Sequence, residues 1–196
     1  MGRVIVIEFL SLDGVMQAPG DLDEDRSGGF ALGGWQRPYF DDVFAGVAAE
    51  GIAETGGYLF GRKTYETMAA FWPTQPDDDP FAATLNGLPK YVASTTLSEP
   101  LEWQNTTLLQ GDVAKAVAEL KEQSGKNLVV LGSGELVQTL MDNDLVDEYG
   151  LMIHPIVLGS GKRLFREGSQ RVPLRLVRSM TSSTGVLIAT YEPERP

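Results

Sequence analysis

Two cations open a predicted helix directly after a short apolar strand. The apolar run 58–60 ends at Gly61, and the helix that follows begins with Arg62, Lys63 and Thr64. The start of a helix offers free backbone N–H groups and the positive end of the helix dipole. Together with two cations, these groups suit a phosphate. In a fold where a strand leads directly into such a helix, we expect a nucleotide phosphate.

Two further turns follow predicted strands. The glycine-rich turn 132–134 comes directly after the apolar strand 128–131, and the hydroxyl residues Ser94 and Thr95 follow strand 90–93. In open α/β sheets, ligands bind at the carboxyl ends of the parallel strands. Hydroxyl groups there can bind a phosphate or a ribose, although Ser and Thr are also common in simple turns.

Four other residues have both a structural and a chemical interpretation. Asp41 and Asp42 stand in the first turn of a predicted helix over 38–54, where the helix dipole alone favours carboxylates. One of them could instead point into a cleft as a proton donor or relay. Asp13 and Gly14 form either a simple turn or a small-residue backbone that approaches a flat ring.

The pattern of apolar residues predicts an α/β chain. Parallel strands from strand–helix–strand units come first and antiparallel strands end the chain, so we expect a mixed sheet in a three-layer αβα arrangement within one domain over 1–196. The predicted strands are 3–10, 57–60, 90–93, 106–109, 128–131, 146–153, 172–180 and 184–192. The predicted helices are 38–54, 62–70, 112–123 and the segment from 134 to 142.

Two long segments are predicted as loops. Residues 11–37 are rich in Gly, Asp and Ser, and a loop of that length is typically functional. Residues 72–88 contain the acidic run 77–79. We interpret this run as a solvated turn, because metal ligands must point at one ion and adjacency in sequence does not ensure that. Trp35, Phe40 and Trp72 are plausible walls of a substrate cleft. His154 is the only histidine, and we expect it to be structural.

Composition limits the possible functions. The 196 residues carry a net charge of −11, which disfavours nucleic acid and anionic membranes as partners. The absence of cysteine excludes disulfides, zinc–thiolate sites and cysteine nucleophiles. We expect no metal site. The first apolar run is too short for a signal peptide or a membrane span, so the cytoplasm is the expected location.

The motifs together resemble a known family. Residues 61–66 are similar to the motif with which dihydrofolate reductases bind the phosphates of their cofactor. The chain also resembles the reductase domain of the bacterial riboflavin deaminase-reductase, and more closely its stand-alone, dihydrofolate reductase-like relatives. The other matching segments, in chain order, are 11–14, 90–96, 132–136, 145–149 and 155–161.

The resemblance implies an NADPH-dependent reductase with a dihydrofolate reductase-like mixed sheet, and it implies a role for each matching residue. Arg62 would be the partner of the 2′-phosphate, because a guanidinium binds phosphate as a fork. The phosphates would be bound by Gly61, Arg62, Lys63 and Thr64, and the adenosine side would be lined by Ser94 and Thr95. The pyrophosphate and the nicotinamide ribose would lie along Gly132, Ser133, Gly134, Glu135 and Leu136. The nicotinamide would lie near Asp13 and Gly14.

The chain also departs from its relatives. True dihydrofolate reductases carry an acid on the first helix, and its position in this chain would be near Ala45. Asp41 and Asp42 therefore do not align with that acid. The deaminase half of the riboflavin enzyme is also absent. The substrate loop 15–37 offers only Arg26 and Arg37 as cations for a ribose phosphate.

We therefore predict hydride transfer from NADPH to a C=N or C=O bond of a small heterocyclic or carbonyl substrate. The alternatives are the 5-amino-6-(5-phosphoribosylamino)uracil reductase of riboflavin biosynthesis as a separate chain, and a non-catalytic nucleotide-binding module. The consecutive antiparallel strands at the end of the chain leave a sheet edge, and a homodimer is the expected way to cover it.

Overall fold

The computed structural model describes residues 1–76 and 78–195. Eight strands form one mixed sheet in the order β4-β3-β2-β5-β1-β6-β8-β7. The strands are β1 (Val4–Ser11), β2 (Thr55–Gly61), β3 (Lys90–Ala93), β4 (Thr106–Leu109), β5 (Asn127–Leu131), β6 (Glu148–His154), β7 (Leu174–Thr181) and β8 (Leu187–Pro193). The helices are α1 (Asp42–Glu54), α2 (Arg62–Phe71), α3 (Pro80–Gly87), α4 (Val113–Gln123) and α5 (Gly134–Asp142).

The strand directions agree with the prediction. β2 runs parallel to both β3 and β5, and β3 runs parallel to β4. At the end of the chain, β8 runs antiparallel to both β6 and β7. The predicted α/β class, with a mixed dihydrofolate reductase-like sheet in three αβα layers, is therefore confirmed.

Contacts divide the chain into two compact units. The first contains Met1–Val6 and Ala48–Asp147, and the second contains Ile7–Val47 and Glu148–Pro196. A single domain over 1–196 stays a prediction. None of the helices in the described part of the chain has the length and apolar character that crossing a membrane requires.

The first unit is built on continuous apolar strands. Leu59 and Phe60 of β2 are fully buried, and so is Val130 of β5. Phe60 stacks on Trp103 with ring centroids 6.1 Å apart. Strands that are buried on both faces need apolar residues at every position, which explains why the runs 58–60 and 128–131 do not alternate with polar residues.

The second unit packs aromatic and aliphatic residues against its antiparallel strands. Phe44 of α1 belongs to an apolar cluster with Met152 and Ile188. His154 ends β6, is 1% exposed, and its Nδ1 lies 2.9 Å from the carbonyl oxygen of Met152. Burial lowers the pKa of His154. Nδ1 also lies 3.2 Å from the Leu10 carbonyl, which gives the ring the structural surroundings expected from the sequence.

Helix α1 begins later than predicted. Pro38 lies in a 3₁₀ turn over Arg37–Tyr39, and the α-helix itself starts at Asp42. The Asp41 carboxylate accepts a hydrogen bond from the backbone N–H of Phe44 at 2.9 Å, which is the geometry of an N-cap. The cap, rather than the proline, therefore fixes the helix start.

The loop predicted over 72–88 was wrong in its second half. Residues Pro80–Gly87 form α3, and the Asp79 carboxylate caps it by accepting from Phe81 and Ala82 N–H. An aspartate followed by proline is a helix-start signal, since proline fits the first helical position. Of the predicted acidic turn, Asp77 lies outside the described residues and Asp79 serves as this cap.

Candidate functional site

Three turns identified in the sequence lie next to one another in the first unit. Gly61 at the end of β2 pairs with Ala93 at the end of β3. β2 also pairs with β5, in register Leu59 with Val130. The structure therefore brings together the turns that follow these strands. We call this edge the rim, defined by residues 61–64, 94–97 and 132–136.

Two side chains join the turns after β2 and β5. The Ser133 hydroxyl accepts a hydrogen bond from the Gly61 N–H at 2.9 Å and donates to the Leu131 carbonyl at 3.2 Å. The Ser133 N–H in turn donates to the Thr64 hydroxyl at 3.1 Å. These contacts satisfy the Gly61 and Ser133 amides, so a ligand at the rim would have to meet amides that come later in α2 and α5.

The two helices that start at the rim differ from the others in their caps. Among the residues that the structure describes, no side chain caps α2 after Gly61 or α5 after Ser133. In the same unit, Asp79 caps α3 and Asp112 caps α4. The starts of α2 and α5 therefore lack the acceptor that an aspartate provides to α3 and α4, and two adjacent helix dipoles favour an anion there.

The cations at the start of α2 are only partly available. The Nη1 atom of Arg62 lies 3.1 and 3.0 Å from the two carboxylate oxygens of Glu66, one helical turn away. Arg62 and Glu66 side chains are 40% and 46% exposed, so solvent weakens this ion pair. The other guanidinium N–H groups can still bind an oxyanion, and Lys63 is exposed at the same helix start.

The turn after β3 is organised by its serine. The Ser94 hydroxyl oxygen accepts from the N–H groups of Thr96 at 3.1 Å and Leu97 at 3.0 Å. The neighbouring Thr95 is exposed. Both hydroxyl groups of the predicted adenosine side therefore lie at the rim, one fixed by its own turn and one open to solvent.

The first turn of α5 contains residues of opposite character. Leu136 is 5% exposed, so only its backbone N–H could face a ligand. Glu135 is exposed, and its carboxylate lies in the first turn. A carboxylate here is favoured by the helix dipole but repels a phosphate, so Glu135 weakens an anion site rather than building one.

Asp13 and Gly14 belong to the second unit, where Asp13 fixes a loop. The Asp13 carboxylate accepts from the Ser11 hydroxyl at 2.7 Å and from the Leu158 and Gly159 N–H groups at 3.1 and 2.9 Å. The Ser11 hydrogen bond above all lowers the pKa of Asp13 to about 2. Gly14 has a φ of +80°, which a side chain would strain. A position near a nicotinamide stays a prediction for both.

The two candidate acids also lie in the second unit. Besides capping α1, Asp41 accepts from the N–H and the hydroxyl of Ser183, each at 2.7 Å. These bonds lower the pKa of Asp41, with the Ser183 hydroxyl as the largest cause. A low pKa makes Asp41 a poor proton donor near neutral pH. Asp42 is exposed, and a catalytic role for either acid stays a prediction.

The three aromatic residues proposed as cleft walls differ in exposure. Trp35 is 6% exposed, and its Nε1 donates to the Gln17 carbonyl at 2.8 Å, so it is a core residue. Phe40 is 60% exposed. Trp72 is half-buried, with its Nε1 2.9 Å from the Met68 sulfur. Phe40 and Trp72 therefore keep the surface needed for a wall, whereas Trp35 does not.

The sequence analysis missed two features beside the rim. Glu66 was not singled out, although an acid four residues after an arginine in a helix is a recognisable pairing signal. The turn after β4 was also missed. β4 pairs with β3 in register Leu109 with Ala93, and Gly111 follows with a φ of +74°. A glycine between a strand and the capping Asp112 was the available signal.

Comparison with known proteins agrees with this geometry. A family model described as the RibD C-terminal domain matches residues 3–188. The uncharacterized protein YyaP of Bacillus subtilis (strain 168) is 34% identical over 136 residues, which cover 68% of this chain and 71% of YyaP.

Solved structures share the fold. A putative riboflavin biosynthesis protein from Shewanella sp. PV-4 matches with a TM-score of 0.70 and 23% identity, covering 98% of this chain and 99% of that one. Dihydrofolate reductase from Enterococcus faecalis, solved with NADP(H), matches with a TM-score of 0.63 and 15% identity, covering 99% and 98%. At these identities the likeness concerns the fold alone.

Proposed function

We propose that this chain, which belongs to the RibD C-terminal domain family, is an NADPH-dependent reductase. Its substrate would be a small heterocyclic or carbonyl compound with a C=N or C=O bond that accepts a hydride. Family membership supports a reductase, and the rim supports a cofactor that carries phosphates. The cytoplasm stays the expected location.

One observation carries the proposal more than any other. α2 and α5 begin side by side at the rim without side-chain caps, whereas α3 and α4 are capped by aspartates. A helix start that lacks its own acceptor needs one from outside, and phosphate is well suited to that position. Two such starts, with two cations on one of them, fit the pyrophosphate and 2′-phosphate of a dinucleotide.

Different residues of the rim would bind different parts of the proposed cofactor. Arg62 and Lys63 would bind the 2′-phosphate, the first-turn amides of α2 and α5 the pyrophosphate, and the Ser94–Thr95 turn the adenosine. When bound, NADPH supplies the hydride, and the protein provides binding, orientation and exclusion of water. Gly61, Thr64, Gly132, Ser133, Gly134 and Leu136 would shape the turns that hold the phosphates, and Glu135 would limit their affinity. A position of Asp13 and Gly14 near the nicotinamide stays a prediction.

Proton delivery is proposed for Asp42 rather than Asp41. Both oxygens of Asp41 already accept hydrogen bonds, and its pKa is lowered. Asp42 is exposed in the first turn of α1 and has no such engagement among the hydrogen bonds assigned in the described residues. A water held by Asp42 is the simplest relay.

Affinity for the two nicotinamide cofactors tests the proposal. Arg62→Ala should weaken NADPH binding by about 1.5–3 kcal/mol, the range for a charge-assisted hydrogen bond, and leave NADH within about twofold. Isothermal titration calorimetry measures both. Lys115→Ala, which removes an exposed cation from α4, is the matched control and should change neither affinity. Equal losses for NADPH and NADH would remove Arg62 from the 2′-phosphate.

The riboflavin-pathway reduction is a second candidate, supported by the family itself. The chain would then reduce 5-amino-6-(5-phosphoribosylamino)uracil, followed as loss of NADPH absorbance at 340 nm. The substrate loop does not favour a phosphate ester, because Arg26 pairs with Asp23 and Arg37 pairs with Asp21. Turnover of this compound would establish the second candidate. NADPH binding without turnover across a panel of carbonyl and heterocyclic substrates would instead indicate a non-catalytic module.

A homodimer is proposed from the edge of the sheet. β7 is the last strand in the sheet order, and Leu176 and Val177 on it are 51% and 48% exposed. An exposed apolar edge strand is commonly covered by a second copy. Light scattering measures the mass directly, and a monomer of 21.3 kDa would end this proposal.

A further inference from the structure

We propose that Ser133 and Thr64 are positioning residues that lock the starts of α2 and α5 into a single two-part site for a dinucleotide. The inference rests on the proposed function. It assigns these two side chains a different task from the phosphate contact expected for them, because they act by holding backbone groups of neighbouring turns. We call the pair the hydroxyl bracket.

The bracket links turns that are far apart in sequence. Gly61 N–H donates to the Ser133 hydroxyl at 2.9 Å across 72 positions, and Ser133 N–H donates to the Thr64 hydroxyl at 3.1 Å across 69 positions. Each helix start thus supplies one donor and one hydroxyl acceptor to the other. Because the two bonds run in opposite directions between the same turns, neither turn can rotate without breaking both.

The backbone at Ser133 is strained in this arrangement. Ser133 adopts the left-handed conformation, with φ 63° and ψ 43°. Non-glycine residues in that region are strained by about 1 kcal/mol or more, and such strain persists only where the surroundings enforce it. A Cβ on Gly132, whose φ is +57°, would lie 3.3 Å from the Thr64 side chain. A larger residue at 132 would therefore be strained by its positive φ and would push the Thr64 side chain aside by a few tenths of an ångström.

The bracket determines which amides face a ligand. It satisfies Gly61 and Ser133 N–H and leaves the following first-turn amides of both helices in a fixed relation. A dinucleotide that touches both starts gains from this relation, because its second half binds at a high effective concentration. A fragment that touches only one start gains nothing from it. The bracket should therefore strengthen the whole cofactor much more than either part.

Binding of whole and divided cofactors tests the inference. Thr64→Val and Ser133→Ala each remove one hydroxyl, and the titrants are NADPH and its fragment adenosine 2′-monophosphate, which carries no part of the pyrophosphate. We expect NADPH affinity to fall about tenfold in each variant while fragment affinity changes less than about twofold, since only the coupling between subsites is lost. The double variant should lose little more than either single variant, because both bonds belong to one unit. Thr64→Ser keeps the hydroxyl and should retain NADPH affinity.

Controls separate this inference from the proposed function. Thr139→Val removes an exposed hydroxyl from α5 and should change neither affinity. Equal losses for NADPH and the fragment would make Thr64 and Ser133 direct ligands and overturn the inference, as would unchanged NADPH affinity in both variants. Failure of the unmodified protein to bind NADPH would overturn the proposed function as well. Urea unfolding of each variant shows whether an affinity loss reflects lost folding rather than lost coupling.

Discussion

At the scale of single residues, the rim is a balance of opposite charges. Arg62 and Lys63 are the cations, and Glu66 and Glu135 are carboxylates on the same two helices. Glu66 directly contacts Arg62 through both of its oxygens. A 2′-phosphate would have to share Arg62 with Glu66, so Glu66 should limit the preference for NADPH over NADH.

Neutralising Glu66 should therefore tighten NADPH binding. We expect Glu66→Gln to raise NADPH affinity about two- to fivefold at low salt, as for an exposed ion pair, with NADH unchanged. The gain should shrink at high salt, where exposed charges are screened. Fluorescence titration at two salt concentrations measures this. Glu119→Gln on α4, which removes the acid of another ion pair four residues apart, is the control. Weaker NADPH binding in Glu66→Gln would show that the pair orients Arg62.

Asp41 should stabilise the fold in a pH-dependent way. Its pKa is below the ordinary 3.8 because Ser183 and Phe44 donate to it. The stabilisation is fully present above pH 3.8 and is lost as the pH falls through the lower folded-state pKa. Asp41→Asn should lower the melting temperature at neutral pH, and the gap to the unmodified protein should close on acidification. Asp42→Asn removes a first-turn carboxylate but none of these hydrogen bonds, so at neutral pH it should lower the melting temperature clearly less than Asp41→Asn. Scanning calorimetry at several pH values compares the three proteins.

At the scale of elements, the helices differ in whether a side chain caps their first turn. α3 and α4 begin at aspartate caps and are complete in themselves, whereas α2 and α5 begin uncapped at the rim. A cap contributes about 1 kcal/mol to helix stability. The fold does without that contribution at the two positions where, in the proposed function, phosphates of the cofactor would accept hydrogen bonds.

The cap of α3 gives an element-scale prediction. Asp79→Ala should lower the free energy of unfolding by about 1 kcal/mol, because the Phe81 and Ala82 N–H groups lose their acceptor. Asp78→Ala replaces the preceding exposed aspartate and should stay within about 0.5 kcal/mol. Urea denaturation measures both variants. Equal effects would mean that charge rather than capping holds the start of α3.

At the scale of the whole molecule, one buried lysine should set how stability varies with alkaline pH. Lys90 is 0% exposed, and its Nζ donates to the carbonyls of Leu85 and Leu88 at 2.8 and 2.9 Å. The ammonium also lies 4.7 Å from the centre of the Trp103 ring. Burial lowers the pKa of Lys90 from 10.5 to about 8. Burial in the folded state therefore disfavours the charged form of Lys90 relative to the unfolded chain.

The sign of the pH dependence follows from linkage. Between pH 8 and 10.5 the unfolded chain binds more protons at Lys90 than the folded protein, so the free energy of unfolding should rise with pH, by about 1–3 kcal/mol. Lys90→Met should remove this rise, although it also leaves carbonyls unpaired and lowers stability overall. Denaturant unfolding from pH 8 to 10 compares the two slopes. The same slope in both proteins would contradict the lowered pKa of Lys90.

The sequence determined the class of fold and the location of the rim. Continuous apolar runs at 58–60 and 128–131 are typical of strands covered on both faces, and parallel strands end at one edge of their sheet. The sequence therefore placed the turns at Gly61, Ser94 and Gly132 together. It misplaced the start of α1 and missed α3, because caps and turns depend on one or two residues rather than on a periodic pattern.

The roles of individual side chains at that edge follow from the folded structure and not from local sequence. The pairing of Ser133 with Gly61 and Thr64, the engagement of Asp41 by Ser183, and the burial of Lys90 each depend on residues many positions away. A local sequence pattern reports burial and periodicity, since both repeat along the chain. It does not report which distant donor meets which acceptor, since that is fixed when the strands take their register and the turns between them close.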